Sequence, residues 1–396
     1  MIRITAHKPV KILIAITMLF SVGSSPPVLL ASSAPAANGD WQITTFPSQN
    51  VQGTYSSIAL DQDGNPHISF LDETSYDVKY VRWDEDNWEE RTVDTLDILA
   101  WSNTSLALNV NGQPRIAYPY ANPCRIGHAQ WDGTQWQLVK LDWGGCSMYV
   151  TLALDGTGEP CISYYQWAPS PDGARVWLAC HEAAGWQTPT VVDTVHYSLL
   201  QDLALYHSLV LQSDGTPHLN YYRQILSGPA QLWYATRSGG PWVRTVVDEG
   251  PGVGSYSSLA LDSQNRPRIS YYDHTNGDLK YAQWSGSQWY TETVDNSGDV
   301  GSYTSLALDG SGNPHISYYD ATNRDLKYAY WNGSQWRVEI VDSSGDVGEW
   351  TSLMLNAAGK AHISYYDQTN GDLKYATNSD GVEHAIYPPL ILRQYP

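Results

Sequence analysis

A forty-residue segment, 303–342 (YTSLALDGSGNPHISYYDATNRDLKYAYWNGSQWRVEIVD), recurs with variations along almost the whole chain, and that recurrence limits the fold more than any other feature. Within it, four short apolar runs, SLAL (305–308), PHISYYD (314–320), DLKYAYW (325–331) and QWRVEIVD (335–342), are separated by DGSGN, ATNR and NGS. The runs are rich in Val, Ile, Leu and Tyr and too short for helices, and the separators carry the Gly, Asn, Asp and Ser of hairpin turns. Each segment therefore reads as four antiparallel strands.

The first apolar residue of the first strand falls at Ile58, Leu106, Leu152, Leu209, Leu259, Leu306 and Leu353, with spacings of 48, 46, 57, 50, 47 and 47. A period of about 40 to 50 residues with four strands per unit predicts an all-β propeller of seven blades. The last unit lacks its Trp-led fourth strand, and that strand appears ahead of the first unit as WQITTF (41–46). Its counterparts begin at Trp88, Trp136, Trp186, Trp242, Trp289 and Trp336, so the count balances only if the N-terminal strand completes the last blade. A closed ring leaves no capping repeats to supply and no open sheet edge.

The repeat assigns 41–380 to one toroidal domain. Ahead of it, residues 1–36 have a basic start (Arg3, Lys8, Lys11), a short apolar run and an Ala34-Pro35-Ala36 site, which reads as a secretory signal joined by a short linker (37–40). The apolar run is short for an uncleaved anchor. Removing 1–36 leaves 19 Lys and Arg against 41 Asp and Glu, a formal charge of −22. Such a field repels a phosphate backbone, so no nucleic-acid partner is expected. No later segment reads as a membrane span, and 381–396, broken by prolines, reads as a strap or mobile tail. The expectation is a secreted monomer whose partner is an extracellular glycan or protein.

Secretion makes disulfides plausible for the four cysteines. Blade topology places Cys124 and Cys146 on one face and Cys161 and Cys180 on neighbouring strands near the other, favouring the pairs Cys124–Cys146 and Cys161–Cys180 over free thiols.

Units 1, 5, 6 and 7 are close copies, whereas units 2, 3 and 4 drift, so ligand contacts are sought on the divergent arc. Two positions before each marked apolar residue stand Ser56, Thr104, Val150, His207, Ser257, Thr304 and Thr351, a channel wall in which His207 is the exception. Expected near it on the variable side are His196, Tyr197, Tyr206, Tyr118, Tyr120, Arg125, Arg223 and Trp101. A His with Tyr and Arg suits proton abstraction beside a uronate carboxylate, and the same side chains suit stacking on an uncharged sugar without chemistry. The repeated Asp72, Asp273, Asp320 and Asp367, with Asp278, Asp325 and Asp372 across the loop, suit turn capping or a calcium or sugar site; capping is favoured because they recur with the fold. His67, His218, His315 and His362 stand at one equivalent position in separate blades and cannot converge on zinc. No metal or cofactor is expected.

The pattern SLALDxxGxPHISYYDxTNGDLKYAxWxGxxW resembles secreted bacterial propeller repeats of the loosely sialidase-like type over 41–380. Sialidases carry SxDxGxTW turns and an arginine triad; the corresponding turns here, SGSQW (285–289) and NGSQW (332–336), lack that Asp, and no triad is identifiable. Some propellers similar in fold are polysaccharide lyases that use His, Tyr and Arg. The preferred expectation is a non-catalytic propeller binding through a loop face. A uronate-polymer lyase using His207, His196, Tyr206, Tyr118, Arg125 and Arg223 stands second, and a sialidase-like hydrolase third.

Overall fold

The computed structural model describes residues 41–46, 52–84, 86–96, 103–121, 124–144, 147–167, 174–195, 207–224 and 229–378. These residues form seven antiparallel sheets, each running first to fourth strand outward from a common axis. Blade 6 is typical: Val300–Leu308, Pro314–Asp320, Asp325–Trp331 and Trp336–Asp342. In blade 3 the outermost strand is split into Gly185–Trp186 and Thr190–Val195, with Pro189 between them. The signal segment, the linker and the tail lie outside the described residues.

The ring closes where the sequence predicts. Trp41–Phe46 pairs antiparallel with Asp372–Asn378, in register from Trp41 opposite Asn378 to Phe46 opposite Leu373. Trp41 is buried, its ring meets Tyr328 of blade 6 edge-on at 5.2 Å, and its indole N–H donates to Glu339.

The core lies between blades. Alternate residues of a strand face opposite sides of the sheet, so Ile316 and Tyr318 pack back onto Leu279 and Tyr281 of blade 5, whereas Ser317 faces blade 7. The fourth-strand tryptophans serve the same joints: Trp88, Trp136, Trp289 and Trp336 meet Tyr375, Tyr80, Tyr234 and Tyr281 of the preceding blades edge-on at 5.4–5.5 Å. Each ring covers apolar area and supplies a favourable edge contact.

Polar joints repeat as well. A bulge before the last residue of the fourth strand re-aims its aspartate at the next blade. Asp342 accepts from the Tyr365 hydroxyl at 2.8 Å and from Lys374 at 2.9 Å, and Lys374 also meets Asp367 at 3.1 Å. All three charged groups are buried, and Asp367 also caps its own turn through Asn370. Equivalent Tyr–Asp bonds join Tyr118 to Asp94, Tyr221 to Asp193, Tyr271 to Asp248 and Tyr318 to Asp295. Asp72, Asp273, Asp320 and Asp367 thus cap their own turns, and Asp320 and Asp367 also meet the lysine of a blade joint.

The four equivalent histidines are structural. His67, His218, His315 and His362 each bond through Nδ1 to a tyrosine hydroxyl on the third strand of the same blade: Tyr80, Tyr234, Tyr328 and Tyr375. Cys161 and Cys180, directly opposite in the strand ladder, form a disulfide. Cys146 and the side chain of Cys124 lie outside the described residues, so that pairing stays an expectation.

Candidate functional site

The first strand of each blade lines the central channel, and in five blades a bulge there frees two successive residues from the ladder. In blade 6 the ladder jumps from Ser302 to Ser305, leaving Tyr303 and Thr304 unpaired; the same jump frees Tyr55 and Ser56, Tyr149 and Val150, Tyr256 and Ser257, and Trp350 and Thr351. The aromatic member of every such pair has a left-handed backbone, with φ between +48° and +55°. That conformation costs a non-glycine residue roughly 1–2 kcal/mol, and here it is repeated in five blades.

The second member of these pairs, with Thr104 and His207 at the equivalent position of blades 2 and 4, forms a largely polar ring that locks neighbouring blades. Thr104 bonds Ser69, His207 bonds Ser163, Thr304 bonds Ser270, Thr351 bonds Ser317, and Ser56 bonds Ser364 across the closure, all at 2.7–2.9 Å. Where the first partner is Val150, the second is Ala117 and the joint is apolar. At the remaining joint, between Ser257 and Asn220, the serine hydroxyl and both amide atoms of the asparagine are buried without a protein partner.

The aromatic members form an arc at the channel mouth on blades 5, 6, 7 and 1. Ring centroids are 4.5 Å apart for Tyr256 and Tyr303, 5.5 Å for Tyr303 and Trp350, and 4.7 Å for Trp350 and Tyr55. Tyr272, Tyr319 and Tyr366 back this arc at 5.2–6.2 Å, and the first two donate their hydroxyls to Asp299 and Asp346. The arc rings are half-buried, and with Asn103 and the hydroxyl residues Ser56, Thr104, Ser257, Thr304 and Thr351 they line an open pocket of about 460 Å³. Glu349 stands beside Trp350 in the chain and acts electrostatically on Tyr55, Tyr256, Tyr319 and Tyr366. Burial, reinforced by Asp346, pushes its carboxyl up to about 7. Burial also pushes the Tyr55 phenol up to about 12, with Glu73 and Glu349 adding to the effect.

Of the residues singled out from sequence, those within the described residues each meet a partner of their own. His207 is buried in the polar ring, its Nε2 2.7 Å from Ser163 and its ring edge-on to Tyr165 at 5.0 Å. The fully buried Tyr118 donates to Asp94, and Tyr120, 5.4 Å from it ring to ring, is buried under Lys140. Arg125 forms an open ion pair with Asp142 at 3.0 Å. Arg223 lies over the Trp233 ring and 3.6 Å from Asp193. Trp101, His196, Tyr197 and Tyr206 lie outside the described residues. The side chains that do converge, Tyr55, Tyr256, Tyr303 and Trp350, stand one position earlier than the channel position considered in the sequence. Reading that column across the repeats, Tyr55, Asn103, Tyr149, Tyr206, Tyr256, Tyr303 and Trp350, is the signal that finds them. Among the described residues no group of three or more His, Cys, Asp or Glu side chains is placed to hold a metal ion.

No family model matches the sequence, and no curated protein does. Solved structures do match in fold. An ulvan lyase of a new polysaccharide lyase family, bound to a GlcA(1-4)Rha3S unit, is 11% identical with a TM-score of 0.59, over 89% of this chain and 95% of that one. A lectin mutant from Aleuria aurantia in complex with Fucalpha1-6GlcNAc is 12% identical with a TM-score of 0.54, over 74% and 98%. A protein of unknown function from Dyadobacter fermentans is 11% identical with a TM-score of 0.50, over 85% and 98%. At these identities the likeness is one of fold, and the chain is a seven-bladed propeller closed by its N-terminal strand.

Proposed function

We propose that this protein is a secreted, non-catalytic carbohydrate-binding propeller whose ligand lies on the aromatic arc at the channel mouth. The arc carries the reading. Four contiguous half-buried rings, held in a disfavoured backbone conformation above a ring of hydroxyls, offer flat faces for the C–H surface of a sugar and polar atoms for its hydroxyls. The lectin and lyase of similar fold are bound to saccharides, which agrees with this reading at the level of fold alone.

The test is retention of the purified chain on immobilised neutral, acidic and amino polysaccharides, with Trp350→Ala alongside. Retention by at least one polymer is expected, weakened about tenfold by losing one stacking ring. Binding untouched by Trp350→Ala, or no retention at all, would sink the reading. The same incubations report the second reading, uronate-polymer cleavage by His207 with Tyr118, Arg125 and Arg223, through the ultraviolet absorbance of unsaturated products. Sialidase-like hydrolysis would need arginines free to grip a carboxylate, whereas Arg125 and Arg223 already face Asp142 and Asp193.

A further inference from the structure

The charge of the channel mouth narrows the ligand class. The charged groups that act on Glu349, Tyr55 and Tyr256 are carboxylates: Asp346 on Glu349, Glu73 and Glu349 on Tyr55, Glu349 and Asp299 on Tyr256. Among the described residues no Lys or Arg lines the pocket. Arg324, which is exposed, pairs with Asp346 at 3.8 Å. The pocket therefore combines aromatic faces, whose quadrupoles attract cations, with Asp299 and Asp346 bonded to the tyrosines that back them and with Glu349 next in the chain to Trp350.

An independent observation points to a ligand at the same place. Ser257 lines the pocket, is 6% exposed, and its hydroxyl has no protein partner. Behind it Asn220, fully buried, has both amide atoms unpaired at the position where Ser270 and Ser317 bind the neighbouring blade. Buried polar groups in folded proteins are seldom left unsatisfied, so this joint is suited to accept hydrogen bonds from, and donate them to, something that enters the channel.

We infer that the channel mouth binds a sugar bearing a cationic nitrogen, an amino sugar with a free ammonium group, which sits over Tyr55, Tyr256, Tyr303 and Trp350 beside Glu349, with the Ser257 hydroxyl and Asn220 amide beneath it. This rests on the carbohydrate-binding reading above and adds the charge of the ligand to it. An acidic polymer is repelled by the same carboxylates, and an N-acetylated sugar loses both the cation–π attraction and the ion pair.

Calorimetric titration of the full secreted chain at neutral pH and low salt, with tetramers of glucosamine, N-acetylglucosamine and galacturonate, tests this. The glucosamine tetramer is expected to bind about tenfold or more tighter than the acetylated one, and the uronate tetramer least. Glu349→Gln, which replaces an ionisable group that burial disfavours and so leaves the fold intact, should cut that preference several-fold. Equal affinity for the glucosamine and acetylated tetramers, abolished by Trp350→Ala, overturns the charge inference and leaves the sugar-binding reading standing. A preference unchanged by Glu349→Gln also overturns the inference, because the ammonium group would then lie elsewhere. Absence of heat with all three tetramers, together with no retention on any polysaccharide, overturns both.

Discussion

Glu349 and the buried histidines put opposite pH dependences into one fold. Burial pushes His67, His218 and His362 down to about 4 from an ordinary 6.5. In the range between those values the unfolded chain binds more protons than the folded one, so their contribution is complete above pH 6.5 and is lost as pH falls towards 4. For Glu349 the sign reverses. Its folded value near 7 lies above the ordinary 4.5, so the folded chain holds the extra proton, and stability falls as pH rises from 4.5 to 7 and is level beyond. The carboxyl faces Asp346, Tyr55, Tyr256, Tyr319 and Tyr366, none of which offers it a positive charge. Melting curves of the wild type and Glu349→Gln across pH 4 to 8 separate the two effects. The curves should coincide near pH 4 and the variant should melt higher at pH 7 to 8; a variant that melts lower at pH 8 would show that the ionised carboxylate is a structural anchor.

Within and between blades, ion pairs of one kind differ widely in what they contribute, because burial differs. Lys374 lies between Asp342 and Asp367 with all three groups buried. Burial alone would raise Asp342, yet Lys374 and the bonds from Ser344 and Tyr365 hold it below the usual carboxylate range. Removing the lysine leaves two buried carboxylates uncompensated, so Lys374→Met is expected to cost about 3–5 kcal/mol. Arg324, 3.8 Å from Asp346 and 68% exposed, is the contrast, and Arg324→Ala should cost under about 1 kcal/mol. Urea midpoints at unchanged slope measure both. A Lys374→Met variant as stable as the wild type would mean that the blade joints rest on apolar packing alone. Sequence conveys only part of this joint. The spacing of Tyr365, Asp367 and Lys374 is plain in the repeat, but Asp342 reaches them from the previous blade through a bulge, and a bulge interrupts the two-residue alternation by which strands are read. The channel-mouth aromatics are hidden for the same reason: strict alternation gives no ground for Tyr303 and Thr304 to enter the channel together, and only their unpaired bulge does so.

At the scale of the molecule, the seven-fold period and its seam are legible because WQITTF repeats the fourth-strand pattern that the last unit lacks, and pairing is set by that pattern rather than by chain order. The divergence of units 2 to 4 is legible too, yet the described aromatic arc lies on blades 5, 6, 7 and 1. A conserved-looking copy can carry a site when the site is built from several copies side by side. The seam therefore matters to both stability and ligand binding, since Tyr55 of blade 1 meets Trp350 of blade 7 directly across it. Removing residues 1–46 uncovers the strand Asp372–Asn378 and strips the joint of Trp41, Ile43 and Phe46, each buried. At about 1.5–3 kcal/mol per buried side chain, the loss approaches the whole stability of an ordinary domain. The truncated chain is expected to melt far lower and to associate through its open edge as concentration rises. A synthetic peptide carrying WQITTF should restore the melting temperature in proportion to its occupancy, because it can pair in the same register and rebuild the Tyr55–Trp350 contact. A truncated chain that melts as the full one does, or one that the peptide leaves unchanged, would mean that the other six joints hold the ring shut without this strand.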